Sequence, residues 1–85
     1  MAKYKVTIIP SAQKEITKLP KQVQNKVLKA IVSLSENPRP HGCKKLVSTD
    51  SWRFRIGEYR IVYSIEDNVL LIEVIRIAHR KEVYR

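Results

Sequence analysis

The stretch Trp52-Arg53-Phe54-Arg55-Ile56-Gly57-Glu58-Tyr59-Arg60-Ile61-Val62-Tyr63 alternates apolar and cationic side chains on either side of a Gly-Glu pair. A two-residue turn at Gly57-Glu58 sets Ile56 opposite Tyr59, and every other pair follows: Arg55 faces Arg60, Phe54 faces Ile61, Arg53 faces Val62 and Trp52 faces Tyr63. Aromatic and aliphatic side chains then share one face of the hairpin, and Arg53, Arg55 and Arg60 share the other. Two like charges directly across a ladder repel by about 1 kcal/mol in a water-like medium, a cost that a purely structural hairpin has no reason to bear. An anion converts that cost into binding. Guanidinium groups offer planar, paired donors that suit phosphate, and several of them together stabilise the extra charge of a pentacoordinate phosphorus.

A second cluster of candidates follows at His79, Arg80, Lys81 and Tyr84, close in sequence to Arg76 and Arg85. His79 is the titratable candidate for proton transfer and Tyr84 for proton transfer or stacking, provided the strand order brings this segment beside the hairpin. Lys44, Lys45, Arg76 and Lys81 read as contacts to a nucleic-acid backbone. Metal-dependent hydrolysis needs gathered carboxylates, whereas the 8 acidic residues are scattered, with Glu58 and Glu82 alone inside the arginine-rich stretches. There is no glycine-rich phosphate loop, and Cys43 has no partner pattern for nucleophilic work. No metal and no organic cofactor is expected. An RNA substrate carries its own nucleophile, the 2′-hydroxyl.

The elements that must hold these residues are legible from periodicity. Residues 4–9 read as a short strand, and Pro10-Ser11 interrupts it with Ser11 as a prospective helix N-cap. Ala12, Ile16 and Leu19 recur at helical spacing up to Leu19-Pro20, after which Val23, Val27, Ala30, Ile31 and Leu34 stripe a longer helix. Lys14, Lys18, Lys21, Lys26 and Lys29 fall on the outer faces and read as a solvated surface. Asn37-Pro38-Arg39-Pro40-His41-Gly42 breaks the helix. After the hairpin, Glu66-Asp67-Asn68 marks another turn, and residues 69–77 form an apolar run expected to be a strand buried on both faces and central in its sheet, with a tail over residues 78–85. The class is α+β: an N-terminal strand, a helical hairpin, then an antiparallel sheet of about four strands.

Composition bounds the rest. Only one hydrophobic core can be assembled from 85 residues, so residues 1–85 are expected to be one domain. With 17 basic and 8 acidic residues the net charge is +9, which points to a polyanionic partner. A single cysteine excludes an internal disulfide and fits a reducing cytoplasm, and no apolar run has the length of a signal peptide or membrane span.

The chain resembles the RelE/ParE toxin superfamily, and its RelE-like branch in particular, over essentially its whole length. The resemblance is carried by Lys18-Leu19-Pro20, Asn37-Pro38-Arg39-Pro40 with Gly42, Lys44-Lys45-Leu46, the arginine hairpin, and Ala78-His79-Arg80-Lys81-Glu82-Val83-Tyr84, in that order. It implies a type II toxin that cuts mRNA in the A site of the 70S ribosome through the message's 2′-hydroxyl, and that is silenced by a RelB-like antitoxin. Arg53 and Arg55 stand where some relatives have two catalytic lysines. Arg60 matches a phosphate-binding arginine, Arg80 and Tyr84 match tail residues, and His79 resembles the tail histidine of other branches. A guanidinium keeps its proton at physiological pH, so the Arg-for-Lys change moves proton transfer elsewhere: His79 is assigned general acid or base work, with one of Lys44, Lys45 and Lys81 as an alternative base. Two alternatives share the fold: a ParE-like inhibitor of DNA gyrase, and a non-catalytic RNA- or antitoxin-binding member.

Overall fold

The computed structural model describes residues 3–46 and 50–79. Strand β1 (Lys5–Ile8) leads into helix α1 (Pro10–Thr17) and, after Leu19-Pro20, helix α2 (Lys21–Ser33). Strands β2 (Lys44–Lys45), β3 (Ser51–Ile56), β4 (Tyr59–Glu66) and β5 (Leu71–His79) follow, with a 3₁₀ turn at Asp67–Val69 between the last two. They form one five-stranded sheet in the order β1-β5-β4-β3-β2. All neighbours are antiparallel except β1 and β5, which run parallel with Lys5 beside Leu71 and Ile8 beside Val74. The α+β class holds, with a mixed rather than wholly antiparallel sheet and with β4, not β5, at its centre.

Helix α1 starts two residues earlier than its sequence suggests, with Ile9 rather than Ser11 at the N-cap. Pro10 occupies the first helical turn behind Ile9, whose φ/ψ of −66°/156° is extended, and no side chain caps the helix. The pyrrolidine ring is already at a helical φ and lacks an N–H that would have no partner there, so Pro10 opens the helix and Ser11 lies inside it. Both helices lay their apolar stripes on one face of the sheet: Ala12, Ile16, Val27, Ile31 and Leu34 pack with Ile61, Tyr63, Ile72, Val74 and Ile77. Phe54 meets Tyr63 edge to face at 5.8 Å.

The hairpin register agrees with the sequence reading at every pair, from Ile56 opposite Tyr59 to Trp52 opposite Tyr63. Gly57 supplies the positive φ of +60° at the first turn position, which a Cβ disfavours. Strand β5 runs two residues beyond the expected end, because Ala78 is small enough to bury and His79 stacks edge-on against Tyr59 at 5.1 Å. Its burial alternates rather than being continuous, since only one face carries helices. Past Val74 the strand loses β1 as a neighbour, and α1 takes over that edge: the Ile77 N–H donates to Glu15 Oε1 at 2.7 Å.

The segment between α2 and β2 is fastened at three points. The Tyr63 hydroxyl donates to the Pro38 carbonyl at 2.7 Å, and burial pushes that phenol up from its ordinary pKa, with Cys43 alongside adding to the rise. Arg39 grips Asp67 with two hydrogen bonds, the shorter 2.9 Å, and lies 5.1 Å from the centre of the Trp52 ring. Tyr4 donates to the same carboxylate at 2.6 Å. Donors from Arg39 first and Tyr4 second hold the Asp67 carboxyl below its ordinary value of 3.8. A depressed carboxyl contributes stability that is full above the unfolded value and lost as pH falls through the folded one. Asp67→Asn is therefore expected to lower the urea midpoint at neutral pH, and the gap from the parent chain closes as pH falls below 3.8. A gap that persists in acid would show that the carboxylate charge is irrelevant to this junction.

Candidate functional site

Strand alternation sorts the candidate residues between two faces. On the face away from the helices, Lys44 of β2 pairs with Arg53 of β3, and Arg55 pairs with Arg60 of β4. Val62 continues the first row to Arg76, and Ala78 continues the second beside Arg60. A cleft of about 330 Å³ opens here, lined by His41, Gly42, Lys44, Arg53, Phe54 and Arg55. Among the described residues no acidic side chain lines it, and no ion pair engages Lys44 or Arg53. Arg60 sits across the ladder from Arg55 with 7% of its surface exposed. A guanidinium buried beside another guanidinium concentrates positive potential on this face of the sheet, and a low local dielectric strengthens its pull on an anion.

Lys45 pairs with Trp52 and so belongs to the helix-side face, where it lines a separate groove with Arg39 and Asp67. Arg76 approaches the helices at its strand's edge, its Nε 3.6 Å from Glu15 Oε2. The tail residues Arg80, Lys81 and Tyr84 lie outside the described residues.

His79 is not beside the arginines. It pairs with Tyr59, two residues along from the Ile61 and Ile77 pair of the core, so it points to the helix side of the sheet. There its Nε2 lies 3.2 Å from Glu58 Oε1, and it borders a depression with Glu15, Lys18, Leu19 and Tyr59. The expectation that the end of the last strand would bring this histidine to the arginine face is corrected by the period of two: its neighbour Ala78 faces the arginines instead.

The histidine on the arginine side is His41, which the sequence reading treated only as part of a helix-breaking run. The signal lay in that run. Pro40-His41-Gly42-Cys43 closes a turn in which the Cys43 N–H donates to the Pro40 carbonyl at 3.0 Å, and Gly42 takes a φ of +89°. Glycine at the third position, with a positive φ, is the signature of a type II turn, and His41 takes its second position, at the tip.

Among the described residues no group of three or more His, Cys, Asp or Glu side chains is gathered. No helix among them is long and apolar enough to cross a membrane.

Comparison with known proteins places this geometry in context. Residues 6–84 match the family described as ParE toxin of type II toxin-antitoxin system, parDE. Toxin RelG of Mycobacterium tuberculosis is 31% identical over 86 aligned positions, covering 96% of this chain and 97% of that protein. Among solved structures, the toxin-antitoxin complex RelBE2 from Mycobacterium tuberculosis matches with a TM-score of 0.82 and 29% identity over 94% of both chains. The archaeal RelE-RelB complex of Pyrococcus horikoshii OT3 matches with a TM-score of 0.83 and 29% identity, over 91% of this chain and 94% of that one.

Proposed function

Starting from the fact that the chain belongs to the RelE/ParE superfamily of type II toxin-antitoxin toxins, we propose that it is a ribosome-dependent endoribonuclease that cuts mRNA in the A site and so stops translation. The observation that carries this reading is the cationic cleft, lined by Lys44, Arg53 and Arg55, with Arg60 buried across the ladder from Arg55. A scissile phosphate seated against these groups gains charge as the neighbouring 2′-oxygen attacks phosphorus, and donors fixed in advance stabilise that charge without reorganising. The products of such a cut are a 2′,3′-cyclic phosphate and a free 5′-hydroxyl. Arg53, Arg55 and Arg60 position and neutralise the phosphate. Arg80 and Tyr84 join them on the strength of the family resemblance.

The proposed partners are the ribosome with its message and an acidic, RelB-like antitoxin. The two structural relatives described above are complexes with such an antitoxin, and a +9 chain offers the complementary charge. The site of action would be the cytoplasm.

Primer extension on a defined message in a purified translation system tests the reading. Cuts are expected only at the codon in the A site, and none in the same message free of ribosomes. No cuts in either setting from folded protein would sink the nuclease. A ParE-like gyrase poison is the second reading, since residues 6–84 match the ParE toxin family; inhibition of DNA supercoiling by gyrase would then be the positive result.

A further inference from the structure

The cleft has cations in plenty and needs a proton acceptor. Arg53 and Arg55 have no lone pair to accept a proton, and Lys44 as an ammonium has none either. His79 faces the other side of the sheet. Among the described side chains lining the cleft, His41 alone offers a nitrogen lone pair that can take up a proton.

Its placement is not casual. His41 occupies the tip of the turn closed by the Cys43-to-Pro40 hydrogen bond at 3.0 Å. The residues leading into that turn are held by the Tyr63-to-Pro38 hydrogen bond and the Arg39 grip on Asp67. Cys43, next in sequence, interacts with Tyr63. The residue at the tip is thereby carried on a braced segment into the lining of the cleft that Lys44 and Arg53 also line.

We infer that His41 is the general base of this cleft, a catalytic residue that takes the proton from the 2′-hydroxyl of the RNA. The inference rests on the ribonuclease reading above and deepens it. In the step, the 2′-O–H bond breaks as its proton passes to an imidazole nitrogen, and the freed electron pair forms the O2′–P bond. The P–O5′ bond then breaks, its electron pair stays on O5′, and that oxygen takes a proton from water. The hydroxide so formed is neutralised by the imidazolium proton, which returns His41 to its neutral form. The net change is a transfer of one proton from O2′ to O5′.

The test is single-turnover cleavage of a defined message on programmed ribosomes, measured against pH for the parent chain and for His41→Ala. The groups facing His41 from β2 and β3 are Lys44, Arg53 and Arg55, and none of these residue types ordinarily titrates between about pH 5 and 8. The parent rate is expected to rise with pH, as general-base catalysis requires. His41→Ala is expected to cut about 10²–10⁴-fold more slowly, without that rise, and to recover partly with added imidazole. His41 is exposed, so the variant keeps its fold, and an unchanged far-ultraviolet circular dichroism spectrum verifies this. Parental rates and pH dependence in His41→Ala would overturn the assignment while leaving the nuclease reading intact. No cutting by the parent chain itself would overturn both.

Discussion

Arg60→Gln is expected to lower cleavage of ribosome-bound message by about 10²–10³-fold, the usual loss when one preorganised donor to a developing oxyanion is removed. The expectation follows from burial. At 7% exposure the guanidinium cannot swing into solvent, so its donors point where the sheet points them. Gln is shorter and uncharged, and it also relieves the repulsion from Arg55 across the ladder. The rate is therefore expected to collapse in a variant that still unfolds cooperatively, which thermal unfolding followed by circular dichroism checks. Arg60→Lys keeps the charge but loses the planar pair of donors, and an intermediate rate is expected. Parental cleavage by folded Arg60→Gln would remove Arg60 from the chemistry and leave it a structural residue.

Ile61→Ala tests the other face of the same strand. Ile61 is fully buried in β4, the central strand, with Phe54 opposite it on one side and Ile77 on the other. Truncating such a side chain costs about 2–5 kcal/mol through lost transfer energy and the cavity left behind. A domain of this size commonly holds only about 5–15 kcal/mol in total. The urea midpoint is expected to fall steeply at an unchanged m-value. A loss below about 1 kcal/mol would mean that the helices close over the gap and that packing here is looser than the burial implies.

What could be read from the chain divides along the line between local and distant interactions. The β3–β4 register was legible to the last pair because Gly57 fixes the turn and a period of two does the rest. The helices were legible because Val27, Ile31 and Leu34 keep helical spacing. The parallel pairing of β1 with β5 was not, since no turn connects them and only the shared core brings Lys5 to Leu71. Two-residue β2 is too short to have a period at all. In the site, the arginines were found because they lie within one hairpin. His79 was assigned to the wrong face because the last strand continues past the end of its apolar run, so the parity of residue 79 could not be counted. His41 was passed over because a Pro-Gly turn reads as punctuation, and nothing local announces that Lys44 and Arg53 will stand beneath it.

The strand order has a consequence for how the chain assembles. Strands β3, β4 and β5 are successive neighbours, so that meander can zip through short connections. Strand β1, made first, pairs among the described residues with β5 alone, the last of their strands to be made. Until Leu71–His79 has been synthesised, β1 has no ladder to join, and the stripe of α1 that packs on β5 has no floor. Long-range closure of this kind is the slow part of folding. During synthesis the arginine hairpin therefore exists before the scaffold beneath it is complete, and the finished protein comes into being only when the first strand closes over the last.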